Sequence, residues 1–193
     1  MNKPAITEFP IIEPINHRWS PRSFSDKAIT YEDMGSLFEA ARWAASSMNE
    51  QPWRFLYAYK GEEAHQLIIE TLMEGNQGWA SSAPVLILTI VDKFSSKSGK
   101  PNNAAIHDLG LAVGNMSIQA SAMGIGLHQM GGFFPDKAKA LFDITDQYDI
   151  VTTLALGYFG EADELEEPLK SREMATRSRK PLEEITFHGK FKK

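Results

Sequence analysis

The stretch Ser46-Ser47-Met48-Asn49-Glu50-Gln51-Pro52-Trp53-Arg54-Phe55-Leu56-Tyr57-Ala58-Tyr59 joins two kinds of structure. Its first half is small and polar, dense in hydrogen-bond donors and acceptors. Its second half is aromatic and reads as a strand. Upstream, Thr30 and Asp33 form a capping-box-like helix start, with Asp in place of the usual Glu or Gln. Met34, Leu37, Phe38, Ala41 and Ala44 then recur at helical spacing. The quoted stretch is therefore where a helix ends and a strand begins.

Outward from it the same alternation continues. Gly61-Glu62-Glu63 opens a second helix with Ala64, Leu67, Ile68 and Leu72 inward. Pro84 to Asp92 is almost wholly apolar, which predicts a central strand buried on both faces. A long helix rich in small residues is expected from about Ala104 to Met123, with Gly124 as its stop. A short helix follows Pro135, and Ile150 to Tyr158 has the β-branched bias of a strand. Ile185-Thr186-Phe187 is a short C-terminal strand candidate, and residues 1–16 read as an extended, proline-punctuated lead-in. The expectation is one mixed α/β domain over residues 1–193.

Composition narrows the function. The chain has 193 residues, 42% hydrophobic and 23% charged, as in ordinary globular proteins. Its formal charge of −5 makes it a poor general binder of nucleic acid or anionic membrane. It has no cysteine, so disulfides, thiolate nucleophiles and iron–sulfur ligation are excluded. Redox chemistry would need a borrowed cofactor. The five histidines form no zinc-type pattern, so no metal is expected. No apolar run approaches the roughly 20 residues that span a bilayer. The opening residues lack a secretory core, so the cytoplasm is the expected location.

Four stretches could carry chemistry. In Arg18-Trp19-Ser20-Pro21-Arg22, Pro21 disfavours helix at Ser20, and an extended chain puts Arg18, Ser20 and Arg22 on one side. Two guanidiniums and a hydroxyl suit a phosphate. Two surface arginines flanking a turn are the plainer reading, which this stretch alone does not displace. The Ser46–Gln51 loop could hydrogen-bond a ligand or simply connect a helix to a strand. Gly124-Ile125-Gly126-Leu127-His128-Gln129-Met130-Gly131-Gly132 reads as a glycine-rich loop where backbone could approach a ligand. It follows a helix rather than a strand, which disfavours a Rossmann loop. Arg177-Ser178-Arg179-Lys180-Pro181 is a basic cluster late in an acidic chain, or a solvated tail. The acidic run Glu161 to Glu167 reads as a solvated loop, and His107-Asp108 as capping or core contacts.

Taken together, in this order and spacing, these stretches resemble the nitroreductase family of FMN-dependent oxidoreductases. Arg18, Ser20, Arg22 and Phe24 match an Arg-x-Ser-x-Arg-x-Phe motif. Ser46, Ser47, Asn49, Gln51, Pro52 and Trp53 match the more specific Ser-Ser-x-Asn-x-Gln-Pro-Trp motif. Asp108-x-Gly110 and the run Arg177 to Glu184 also fit.

The resemblance implies an α+β (α/β/α) fold with a mixed, mainly antiparallel sheet flanked by helices. It implies an intertwined homodimer with FMN at the interface and NAD(P)H as co-substrate. Ile185 to Phe187 would cross to the partner's sheet, and the small-residue helix would form the dimer core. Arg18, Ser20, Arg177 and Arg179 would hold the FMN phosphate, with Trp19 beside them. Arg22 would sit near flavin N1 and O2 as a tuning cation, with no side chain catalytic in itself. Ser46, Ser47, Asn49 and Gln51 would reach the flavin from the other subunit. Met130, Gly131 and Gly132 would line N5 and O4, a glycine N–H pointing there.

The chain departs from the family at Ala45, where many members have Pro, and at Gly131-Gly132, where several have Glu-Gly. Residues 92–105 are a short connection, which implies an open, permissive pocket. The implied activity passes hydride from NAD(P)H by a ping-pong route to nitroaromatic, quinone or flavin-type acceptors. A flavin-sequestering protein, a flavin-dependent dehydrogenase or dehalogenase, and a ligand-free acidic scaffold are the alternatives.

Overall fold

A computed structural model describes residues 3–191. Four strands, β1 (Trp53–Tyr59), β2 (Val85–Asp92), β3 (Ile125–Met130) and β4 (Tyr148–Tyr158), form a sheet in the order β1-β2-β4-β3. All three pairings are antiparallel. β2 is buried along its length except at Asp92, as its unbroken apolar run predicts.

Because strand side chains alternate, β2 supplies two cores. Val85, Ile87 and Val91 face one helix layer together with Leu154, Leu156 and Leu127. That layer contains α2 (Tyr31–Arg42) and α5 (Ala105–Ala122). Leu86, Leu88 and Ile90 face the other layer, which contains α3 (Glu63–Thr71), α4 (Glu74–Ala80) and α6 (Pro135–Leu141). Two more short helices, α1 (Glu13–His17) and α7 (Leu169–Met174), lie near the two ends of the chain. The result is the expected α/β/α sandwich.

The helix starts behave as read. Thr30 Oγ1 accepts from the Asp33 N–H at 3.0 Å, and Asp33 accepts the Thr30 N–H in return. Gly124, at φ +71°, ends the long helix in the left-handed conformation that glycine tolerates.

Four readings change. Ile125–Met130 is strand β3 rather than loop. α4 was hidden by two glycines in seven residues, which dilute its helical pattern. Glu13–His17 is helical rather than extended, started by Pro14, whose missing N–H costs nothing in a first turn. Ile185–Phe187 forms no strand. Leu182–Glu184 is a 3₁₀ turn, and the Ile185 and Thr186 N–H groups bond back to Leu182 O. A three-residue strand needs a neighbour's N–H and C=O groups, and among the described residues no strand pairs with it.

The glycines of β3 and β4 have a packing reason. Residues 21–24 come down on this end of the sheet, with Phe24 bridging to Phe159 and Ser25 N donating to Tyr158 O at 2.9 Å. A Cβ at Gly126 would strike the Pro21 ring, and one at Gly157 would lie 2.6 Å from Pro84 Cδ and 2.7 Å from Phe24 Cδ1. Gly157→Ala should therefore overpack this seat and cost about 1–3 kcal/mol. Urea denaturation measures it, and wild-type stability in the variant would mean that Phe24 is not held there.

Candidate functional site

The 18–24 segment is extended and alternates in burial. Trp19, Pro21 and Ser23 are buried, whereas Arg18, Ser20 and Arg22 are half-exposed on the other side. Trp19 anchors the strip by stacking on Phe159, with ring centroids 5.5 Å apart. The expected side-sharing of Arg18, Ser20 and Arg22 is thus present.

The C-terminal arginines join Arg18. Burial, then the neighbouring charges of Arg177 and Arg179, push the Arg18 guanidinium below its usual range. Arg177 Nη1 donates to Lys3 O at 2.6 Å and Asn16 O at 2.7 Å, which ties the chain's two ends together. Arg179 is exposed and donates only to Ser178 O. Among the described residues, none of the three has a carboxylate within ion-pair reach. Three cations brought together without a counter-ion suit an anion with several oxygens.

Arg22 turns to a different partner. Its Nη1 lies 3.8 Å from Oε2 of Glu173, a residue of α7 that is only 2% exposed. Glu173 Oε1 accepts the N–H groups of Arg22 at 2.9 Å and Ser23 at 3.3 Å. The Arg22 guanidinium also lies 5.9 Å from the centroid of the Trp79 ring. Beside them, His128 packs on Trp79 with centroids 4.5 Å apart, and its Nδ1 meets Pro21 O at 2.9 Å.

The Ser46–Gln51 loop lies elsewhere. Asp108, 1% exposed in the first turn of α5, accepts the Ser47 N–H at 3.0 Å. Met48, Asn49 and Gln51 have φ of 53°, 55° and 49°, a left-handed conformation that costs non-glycine residues roughly 1–2 kcal/mol each. The loop is held in this shape from outside. Glu50 accepts from both Ser95 and Ser96 hydroxyls, and Lys97 Nζ donates to Met48 O. Ser47, Asn49 and Gln51 point into open solvent, and Ser46 is partly covered.

No hydrogen bond or ion pair among the described residues joins this loop to the arginine trio. The two sit at opposite ends of α5. The loop meets Asp108, while His17 and Trp19 line a cavity of about 670 Å³ with Ser121 and Ala122. Thirteen residues of helix separate Asp108 from Ser121, about 20 Å at helical rise.

Met130 is buried in the second core, so its side chain is committed to packing. The carbonyl of Gly132 is also taken, by Met73 N and Asn76 Nδ2 at 3.0 Å each. Among the described residues the Gly131 and Gly132 N–H groups make no hydrogen bond, so these backbone donors are free.

A family model described as the nitroreductase family matches residues 15–77 and 60–158. The chain belongs to the nitroreductase family. A solved structure described as an oxidoreductase containing FMN is 36% identical, with a TM-score of 0.91 over 97% of this chain and 96% of its own. A nitroreductase family protein from Clostridium difficile 630 shares the fold at 22% identity, with a TM-score of 0.74 over 95% and 100% of the two chains. An FMN reductase (NADPH) of Bacillus subtilis is 26% identical over 161 residues, 75% of this chain and 63% of that relative.

Three residues that the structure brings to the candidate site escaped the sequence reading. Glu173 had one signal, a lone carboxylate among Lys170, Arg172, Arg177, Arg179 and Lys180. Asp108 was visible as a core or capping contact but not as the support of Ser47. Trp79 lay in the unrecognised α4.

His128 gives a pH test. Burial first, then the Arg22 charge, push its imidazole down to about 4, against the pull of its bond to Pro21 O. The unfolded imidazole titrates near 6.5, so between these values the unfolded chain binds the extra proton. Stability should therefore fall as pH drops from about 6.5 to 4. His65, shifted down chiefly by burial, adds to the same slope. Urea midpoints across this window should show a shallower slope in His128→Gln, and an unchanged slope would mean that His128 is not buried neutral.

Proposed function

We propose that this FMN-dependent NAD(P)H oxidoreductase reduces nitroaromatic, quinone or flavin-type acceptors in the cytoplasm, working as a homodimer with no membrane or nucleic-acid partner. The observation that carries the reading is the trio Arg18, Arg177 and Arg179, three guanidiniums without a carboxylate. FMN held there would supply hydride-transfer chemistry between NAD(P)H and the acceptor, the two using the site in turn in a ping-pong order.

The chain's own residues hold and tune it. Arg18, Arg177 and Arg179 bind the phosphate with the Ser20 hydroxyl, beside Trp19. The free N–H groups of Gly131 and Gly132, next to Met130, face the N5 and O4 side. Arg22 stands at the N1 and O2 edge, where negative charge develops on hydride transfer, and a fixed cation there stabilises that charge. No side chain serves as proton donor in this scheme; solvent does.

Ser46, Ser47, Asn49 and Gln51 reach the same cofactor from a second copy. Several features support that copy. The loop and the arginine trio lie about 20 Å apart along one α5, and a two-fold axis through α5 would bring each to its complement. Ile106 and Leu111 of α5 are 62% and 39% exposed, with Gly110 between them on an open face. The outer edge of β1 has no neighbouring strand among the described residues, an invitation to an added strand.

The purified protein should be yellow, elute at about twice the mass of one chain, and bleach within seconds when NADPH or NADH is added anaerobically. A yellow protein that does not bleach would instead be a flavin carrier. Arg22→Ala should lower the flavin reduction potential and slow its reduction by about 100–1,000-fold, the scale of losing one charge-stabilising group. A potential and rate equal to wild type would remove Arg22 from this role.

A further inference from the structure

Glu173 is the buried carboxylate nearest the proposed flavin-tuning cation. Its Oε1 is spent on the Arg22 and Ser23 N–H groups. Its Oε2 is buried, makes no hydrogen bond, and lies 3.8 Å from Arg22 Nη1. The same carboxylate thus grips the Arg22 backbone with one oxygen and faces its guanidinium with the other.

This arrangement needs a reason. A buried carboxylate oxygen without a donor is costly, and an approach by Arg22 about 1 Å closer would satisfy it. The guanidinium instead stands 3.8 Å from Glu173 Oε2 and 5.9 Å from the centroid of the Trp79 ring. Lys3 Nζ bonds the Glu173 main-chain carbonyl at 2.6 Å and leaves the carboxylate to Arg22. Arg22 feels burial most, then Glu173, then Arg172. Within this basic neighbourhood Glu173 is the opposing charge that acts on Arg22.

We propose that Glu173 is a positioning residue that fixes the Arg22 backbone and limits how much of its guanidinium charge reaches the flavin. The inference rests on the reading that Arg22 stands at the N1 and O2 edge. Its consequence runs opposite to ordinary damage. Neutralising Glu173 while keeping its shape leaves Arg22 in place with its charge less compensated. The reduced cofactor should then be held more tightly, and the potential should rise rather than fall.

Glu173→Gln retains an oxygen acceptor for the two backbone N–H groups, so the FMN-loaded protein is expected to fold; thermal unfolding checks this. Its two-electron potential should rise by about 30 mV, equivalent to about tenfold tighter binding of reduced relative to oxidised FMN. In an Arg22→Ala background the same substitution should leave the potential unmoved. Glu173→Asp, which withdraws the carboxylate by one methylene, should shift the potential upward too, and decides the matter if Glu173→Gln does not fold. If Arg22→Ala lowers the potential but neither Glu173 variant raises it, Glu173 is only structural and this inference fails alone. If Arg22→Ala leaves the potential unchanged, the reading of Arg22 fails first. A Glu173→Gln shift that persists without Arg22 would also overturn the proposal, because the carboxylate would then act on the flavin directly.

Discussion

The burial of β2 on both faces is the constraint from which the architecture follows. A strand of Val, Leu and Ile with water on neither side must be covered by helices twice over. α2 and α5 cover one face, and α3, α4 and α6 cover the other. Once α5 is laid across the sheet, its length sets the distance between the Ser46–Gln51 loop at one end and the Trp19 strip at the other. Neither end is adjustable, because Asp108 pins the loop and the glycines of β3 and β4 seat residues 21–24.

That spacing gives the site its character. In the proposed dimer each part would find its complement on the second chain. The loop carries donors and acceptors in a left-handed shape that contacts from Ser95, Ser96, Lys97 and Asp108 help to maintain. Backbone strain kept at a solvent-facing position signals a surface prepared for contact. The arginine end carries charge without a counter-ion. Two-fold symmetry is the simplest way for one kind of surface to meet the other, since it makes two identical composite sites at once.

The electrostatics are local rather than global. A formal charge of −5 predicts repulsion of anions, yet Arg18, Arg177 and Arg179 are gathered at one place and their carboxylates are kept elsewhere. Asp163 pairs with Lys170, and Asp149 with Lys139 and Lys93, so these carboxylates are engaged by lysines rather than by the trio. Among the described residues, Glu173 is the carboxylate that pairs with Arg22. On the proposed reading, an uncompensated trio would bind the charged group while the compensated fourth arginine would modulate it.

The two central strands, the long helix and the capping box at Thr30 were legible in the sequence, because apolar runs, small-residue spacing and cap chemistry are local signals. So was the side-sharing of Arg18, Ser20 and Arg22, which needs only the two-residue period of extended chain. β3 was not legible. Gly126 looks like a loop residue until the Pro21 ring is seen against it, since a strand glycine can answer a contact from a residue over a hundred positions away. The grip of Glu173 on Arg22 spans 151 positions and leaves no periodic trace. Local chemistry writes itself into neighbouring residues, and so the sequence determined which groups are available. Close approach between distant segments depends on how the sheet and helices stack, and so only the tertiary structure decided which of those groups stand together.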